Sequence, residues 1–309
     1  MRSLTLLLVA LMCAATPIAC HAADRLSVIL DWFVNADHEQ ILAADYCGAF
    51  ARHGLQVTLI APADTSSPPR LVAAGQADLA ISYQTELAFM AARGLPVVRV
   101  GTLMDQPLNV LMTLPGTGIH SLADLKGRRV GVSVGPGDEA MLNGMLASAG
   151  LAPGDIVRTD VNFQIEQALM THRVDAVLGM RNYEMIDLQQ KGLQPVAFRP
   201  EQHGVPPYDE LIVVARRDHA GDPKIARFLA ALKDGTACLL HDPDAVWQQT
   251  IRARPELDTK LNKAAWWASL AALARDPAHL DRERYEAFQQ FLVSRGALRD
   301  PAPVASYVR

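Results

Sequence analysis

The sequence predicts an α/β protein of two lobes, each with a mixed, mostly parallel sheet, joined by a hinge of crossing strands. Three observations predict it. Short apolar runs alternate with helical segments, the pattern of βαβ units. The alternation fills the first hundred residues and then restarts. From about Pro223 the remainder reads as almost wholly helical, with Trp247, Trp266 and Trp267 on its apolar faces. A chain of 309 residues, half of them hydrophobic, is long enough for two lobes of ordinary domain size.

In the first unit the pattern predicts strands at 26–30, 55–60, 77–81 and 97–101. Helices are predicted at 38–53, 68–74 and 85–93, with Gly54 and Gly75 as stops. In the second unit Ser121 is the predicted cap of a short helix. Arg129 to Ser133 is a strand, Gly135 to Gly137 a turn, and Asp138 to Ala149 a helix. Asn162-Phe163 reads as a strand remnant, 165–171 as a helix, 176–179 and 211–215 as strands. Asn109 to Thr113 and Asp209 to Val213 are the candidate crossings between lobes. The division expected is 24–109 plus 214–309 for the first lobe and 110–213 for the second.

The first 22 residues read as a secretory signal peptide: Arg2, an apolar run from Leu4 to about Ala15, then small residues up to Ala22 and Ala23. The run is short of the roughly 20 residues a membrane span needs. The expected product is a soluble periplasmic protein beginning near Asp24. Lipidation at Cys20 is the alternative, which Pro17 in the preceding residues disfavours. Cys47 and Cys238 then remain. Export permits a disulfide between them, but spacing cannot show that they approach, and they are read here as two separate small core residues. No cysteine and histidine cluster has zinc spacing. A net charge of -4, with no block of like charge, gives no footing for nucleic acid.

Ligands of open α/β sheets bind beyond the carboxyl ends of the strands. Those ends here are Asp31 to Asn35, Ser82-Tyr83-Gln84, Ser133 to Glu139 and Met180 to Glu184. The first sets Trp32 among Asp31, Asn35 and His38, an aromatic face beside directed polar groups, as a flat heteroaromatic ligand requires. Trp32 is equally readable as core, and Asp31 and His38 as helix caps. Arg181 to Glu184 offers Tyr183 and Glu184, though Glu184 also reads as a solvated first-turn acid. Tyr208 and Glu210 stand at a proposed crossing, where chain from both lobes meets the cleft. Gly135-Pro136-Gly137 resembles a phosphate cradle, but Asp138 and Glu139 follow at once, so a plain turn is the reading. No Gly-x-Ser-x-Gly, Walker lysine or His-Glu-x-x-His occurs.

Taken in order, Leu30-Asp-Trp-Phe-Val-Asn-Ala-Asp-His38, Gly75-Gln-Ala-Asp-Leu79, Ser121-Leu-Ala-Asp-Leu-Lys-Gly127 with Val130-Gly131, and Val174-Asp-Ala-Val177 resemble the family of thiamine-pyrimidine precursor synthases and their bacterial binding-protein relatives. The resemblance covers about Leu26 to Trp267. Its glycine and Ser-Leu-x-Asp-Leu-Lys-Gly elements are shared with wider nitrate, sulfonate and taurine binding proteins. The resemblance implies a type II periplasmic binding protein fold. The fungal synthases consume pyridoxal phosphate with a lysine, a histidine and a cysteine-rich iron motif. Here Ser82, Glu86 and Pro206 to Glu210 fall at those places. The bacterial branch carries a Gly-Val-Pro-x-Tyr-x-Glu-Leu stretch, matched by Gly204 to Leu211.

The expectation is therefore a monomeric binding protein that is not an enzyme and has no cofactor. Its partners are a small heteroaromatic ligand and the permease and ATPase of an ABC importer for thiamine synthesis or salvage. The resemblance implies that Trp32 and Tyr208 stack on a pyrimidine while Asn35, Glu184 or Glu210 bonds its edge. The candidate site is Trp32, Asn35, His38, Tyr83, Tyr183, Glu184, Tyr208 and Glu210. The alternatives are a pyrimidine precursor synthase, or a binding protein for another aromatic or sulfonated solute such as riboflavin or taurine.

Overall fold

The computed structural model describes residues 23–133 and 135–309. The signal-peptide and Cys20 readings lie outside the described residues. The first sheet holds β1 (Asp24–Ile29), β2 (Leu55–Ile60), β3 (Leu79–Ser82) and β4 (Val97–Met104), and the second gains β5 (Asn109–Thr113), β6 (Arg129–Val132), β7 (Val157–Asp160), β8 (Ala176–Met180) and β9 (Val196–Phe198). The chain then returns to the first sheet as β10 (Leu211–Arg216).

The two sheets have the same plan. Their orders are β2-β1-β3-β10-β4 and β7-β6-β8-β5-β9. In the first, β1 runs parallel to β2 and β3, and β10 lies antiparallel between β3 and β4. In the second, β6 is parallel to β7 and β8, and β5 lies antiparallel between β8 and β9. Each antiparallel strand is the one that follows a crossing.

Helices α1 (Glu39–Tyr46), α2 (Ala49–Arg52), α3 (Pro68–Ala73) and α4 (Gln84–Ala92) belong with the first sheet's strands. The second sheet's strands alternate with α5 (Pro136–Ser148), α6 (Ile165–Met170) and α7 (Glu184–Gln190). The tail folds as α8 (Pro223–His241), α9 (Pro243–Ala253), α10 (Lys260–Ser269) and α11 (Arg282–Ser294). Its four helices start at short polar caps. Asp222, Asp242, Thr259 and Asp281 each accept a backbone N–H of the first turn, at 2.9, 2.9, 3.0 and 3.1 Å.

Side-chain alternation builds the core. Leu211, Val213 and Ala215 of β10 join one apolar layer with Leu26, Val28, Phe228 and Trp247. Ile212 and Val214 point to the other face, with Ile29, Ala80 and Phe288. Gly235 lets α8 and α1 close together, since a Cβ there would stand 2.5 Å from the Ala44 nitrogen.

Three local readings are corrected. The helix expected at 38–53 is two, because Gly48 adopts φ +69 and breaks it. Asn162 sits at φ +45 in a turn, so Asn162-Phe163 is not a strand. β7 and β9 were not expected: both are edge strands with little buried apolar surface. The reading of Cys47 and Cys238 as separate residues is also overturned. They form a disulfide with Cα atoms 6.6 Å apart, because packing of α1 on α8 brings together positions 191 residues apart in sequence.

Closing so long a loop restricts the unfolded chain. Reduction, or the pair Cys47→Ala and Cys238→Ala, is expected to lower stability by about 2–5 kcal/mol, read as a lower urea midpoint in the reduced protein.

Candidate functional site

The site begins where β1 ends. Asp31 accepts the Tyr83 hydroxyl at 2.6 Å and meets Nε2 of His38 at 3.0 Å. Nδ1 of His38 accepts the Asn35 backbone N–H at 3.2 Å, so Nε2 carries the proton and donates it to Asp31. The Asn35 side-chain oxygen in turn accepts the Asp37 N–H at 2.7 Å and caps the short turn Ala36–His38. The sequence Asp-Trp-Phe-Val-Asn-Ala-Asp-His thus folds onto itself, with Phe33 exposed at its surface, and Asp31, Trp32, Asn35 and Asp37 line a recess together with Tyr83.

These groups form one wall of a recess between the two sheets. Asn109, Ser133, Asp138, Ile165 and Glu184 stand opposite. The recess has a volume of about 30 Å³ and meets an outer cleft of about 450 Å³ at Asp31, Tyr83 and Ser133. The sides touch directly. The Trp32 ring meets Phe163 edge-on with centroids 4.5 Å apart, and Thr65 donates to the Ser133 carbonyl at 2.9 Å. Asn182 donates to Asp37 and, at 2.7 Å, to Ser269.

The recess is rich in carboxyls, and burial decides their charge. Burial pushes Asp37 up to about 6, with the Asp31 charge adding to it and the Asn182 and Ser269 bonds opposing it. Burial, then the charge of Glu166, holds Glu184 well above the ordinary range although one oxygen accepts the Met180 N–H at 2.7 Å. Burial and Asp138 push Glu86, on the cleft wall, up to about 8. For Asp31 burial is again the largest influence, but the bonds from His38 and Tyr83 outweigh it and hold the group low. Hydrogen bonds thus hold Asp31 toward its ionised form, and burial biases Glu184 toward its neutral acid.

Of the eight residues expected at the site, Trp32, Asn35, Tyr83 and Glu184 line the recess. His38 is fully buried with both ring nitrogens engaged, so it positions Asp31 rather than facing a ligand. Tyr183 lies outside the recess, with its hydroxyl 3.4 Å from the Asn262 oxygen. The expected stacking of Tyr208 is corrected: its ring is fully buried against Phe288, centroids 5.5 Å apart, behind the hinge. Glu210 is corrected likewise. It accepts the N–H groups of Leu108 and Asn109 and the Asn109 side-chain amide, the last two at 2.9 and 2.8 Å, and so clasps one crossing to the other. The expected site omitted Asp37, Asn109 and Asp138, which line the recess, and Phe163, which packs on Trp32. Asp37 lay within the Asp-Trp segment and was legible by position; Phe163 carried no signal at all.

A family model described as NMT1/THI5 like matches residues 35–246. The chain belongs to this family. A protein named for thiamine biosynthesis in Haemophilus influenzae is 42% identical over 288 residues, 93% of this chain and 92% of the relative. The formylaminopyrimidine-binding protein of Halalkalibacterium halodurans is 32% identical, covering 82% of this chain and 77% of its own. The family also includes enzymes: a hydroxymethylpyrimidine phosphate synthase of Uromyces fabae is 27% identical over 85% of this chain and 80% of its own. Among solved structures, the alkanesulfonate-binding protein of Xanthomonas axonopodis pv. citri superposes with a TM-score of 0.74 over 92% of this chain and 98% of its own, at 17% identity. That likeness fixes the type II periplasmic binding protein fold of two lobes. The fold and the thiamine-related relatives together support a solute-binding role for the family member described here.

Asp37, Glu86 and Glu210, the last raised by burial to about 7, all bind protons more tightly folded than unfolded. Their stabilising contribution is present at low pH and lost as pH rises through about 6 to 8. The urea midpoint is therefore expected to fall between pH 5.5 and 8.5, and Glu86→Gln is expected to flatten that fall. Glu210→Ala leaves two buried backbone donors at the hinge without an acceptor and is expected to cost about 3 kcal/mol, measured by the same denaturation.

Proposed function

We propose that the chain is an exported periplasmic binding protein that captures a thiamine pyrimidine precursor, formylaminopyrimidine or hydroxymethylpyrimidine, and delivers it to the permease and ATPase of an ABC importer. The observation that carries this reading is the recess between the lobes, which sets the Trp32 ring beside Glu184, a carboxyl that burial biases toward its neutral form, and Asp31, which hydrogen bonds hold toward its ionised form. A neutral carboxylic acid donates one hydrogen bond and accepts another. An aminopyrimidine edge offers the complement, a ring nitrogen that accepts and an exocyclic amine that donates. Asp37 and Asp31 add acceptors for further N–H and O–H groups, and Trp32 supplies the face on which the ring lies.

The lobes in this reading are 24–109 with 214–309, and 110–213. The recess holds too little volume for a pyrimidine ring without some parting of its walls. Capture then means closure about the crossings, and a ligand that touches both walls favours the closed state. The importer reads that state. Among the described residues no helix is long and apolar enough to cross a membrane, in keeping with a protein that visits its permease rather than residing in the bilayer.

The synthase alternative asks for a lysine, a histidine and a cysteine cluster. Ser82 and Glu86 occupy the first two places, and Glu86 is bonded into the turn before α5. Pro206 to Glu210 builds the hinge instead. The sulfonate alternative asks for cationic or N–H donors; Arg70 and Arg93 line the outer cleft, but the inner recess beside Trp32 offers the carboxyls Asp31, Asp37, Asp138 and Glu184 and, among the described residues, no Lys or Arg.

The test is a thermal-shift titration of the purified protein with hydroxymethylpyrimidine, formylaminopyrimidine, thiamine, pyridoxal phosphate, riboflavin and taurine. A shift with the pyrimidines alone is expected. A shift with taurine or riboflavin alone discards the pyrimidine assignment and keeps the binding role. Trp32→Ala is expected to weaken pyrimidine binding by about 1–3 kcal/mol, or roughly five- to hundredfold in Kd. Unchanged affinity in the folded variant removes Trp32 from the site.

A further inference from the structure

The turn before α5 is built to wrap a carboxyl group, and a side chain of the opposite lobe already lies in it. Gly135 takes φ +145, Pro136 opens the helix, and the Gly137 N–H donates to Oε1 of Glu86 at 2.5 Å. The fit is tight. A Cβ on Gly137 would stand 2.5 Å from that oxygen and 2.8 Å from the Thr85 carbonyl, and one on Gly135 would stand 3.4 Å from Oε2. Two glycines are needed there because a carboxyl and the start of α4 press against bare backbone.

The amino end of a thirteen-residue helix such as α5 presents unpaired N–H groups and a positive dipole, and anions bind such ends. Glu86, Gly135 and Pro136 all line the outer cleft, so this end faces arriving solute. Here the end is filled from α4, which packs on α5 across the lobe boundary. Asp138, buried one residue further along, sets a second carboxyl against any competing anion.

We propose that Glu86 is a built-in occupant of the α5 amino-terminal cradle, which denies sulfonates, phosphates and other anions their docking point while tying the lobes together. This rests on the reading of the cleft as the solute site and adds to it a residue that sets charge specificity. The oxygen takes the Gly137 donor whether the carboxyl is ionised or neutral, so exclusion works by occupation.

The experiment compares wild type, Glu86→Gln, Glu86→Ala and the double variant Glu86→Ala/Asp138→Asn by thermal melting. Methanesulfonate and inorganic phosphate are titrated against sodium chloride at matched ionic strength. Gln keeps an acceptor oxygen in the cradle, whereas Ala leaves the donors open. The expected result is a saturable rise of a few degrees in the alanine variants, largest in the double variant, with none in wild type or Glu86→Gln. A saturable rise in wild type overturns the proposal, as does a flat response in both alanine variants. If the alanine variants do not fold, Glu86→Ser is read by the same two outcomes. Pyrimidine binding by wild type is scored separately. If wild type ignores pyrimidines while the alanine variants gain anions, the pyrimidine reading falls and this one stands. If wild type binds pyrimidines and no variant gains anions, the cradle proposal falls and the pyrimidine reading stands.

Discussion

The structure depends on two chain crossings held side by side. Each sheet is completed by a strand that arrives from the other, so neither sheet is whole unless the crossings run close together. Two adjacent acids secure this. Glu210 gathers the donors of Leu108 and Asn109 on the neighbouring crossing. Asp209 accepts from Arg284 at 2.6 Å and from Tyr285 and Thr102 at 2.9 Å, which moors the same segment to α11 and β4. Buried carboxyls are costly when unpaired. Several donors converging on each turn that cost into a fixed geometry for the hinge.

With the crossings fixed, the strand ends of the two sheets face each other, and the cleft follows from topology. Its chemistry does not. The fold is shared with an alkanesulfonate-binding protein at 17% identity, yet the walls here carry Asp31, Asp37, Glu86, Asp138 and Glu184. Burial raises Glu184, Asp37 and Glu86, whereas hydrogen bonds hold Asp31 low. One residue type thus supplies both acceptors and donors, with local environment setting which. The shared fold thus leaves the wall residues to be read separately, from this chain alone.

The segment from Asp31 to His38 links these two levels. His38 and Asn35 are consumed in shaping the turn, which frees Trp32 and Asp37 to face the opposite lobe. Contacts across the boundary then come from small numbers of well-placed groups: Trp32 on Phe163, Thr65 on Ser133, Asn182 on Asp37, Glu86 on Gly137. Each such contact is separately modest.

By itself the sequence determined the α/β class, the restart of the pattern, the two crossings and the segment that opens the site. These are local properties: apolar period, glycine stops and a compact polar-aromatic motif. Four of the eight residues it expected at the site line the recess, because strand ends can be read before their partners are known. Only the tertiary structure decided the rest. Tyr208 and Glu210 occupy the right stretch of chain but turn toward the hinge, since side-chain direction beside a crossing depends on what packs there. Phe163 meets Trp32 through a left-handed turn at Asn162, which no periodicity announces. Cys47 and Cys238 meet because α1 lies on α8, and Glu86 meets Gly137 because α4 lies on α5. In each case the deciding contact joins residues far apart in sequence, and pattern along the chain carries no information about distance across it.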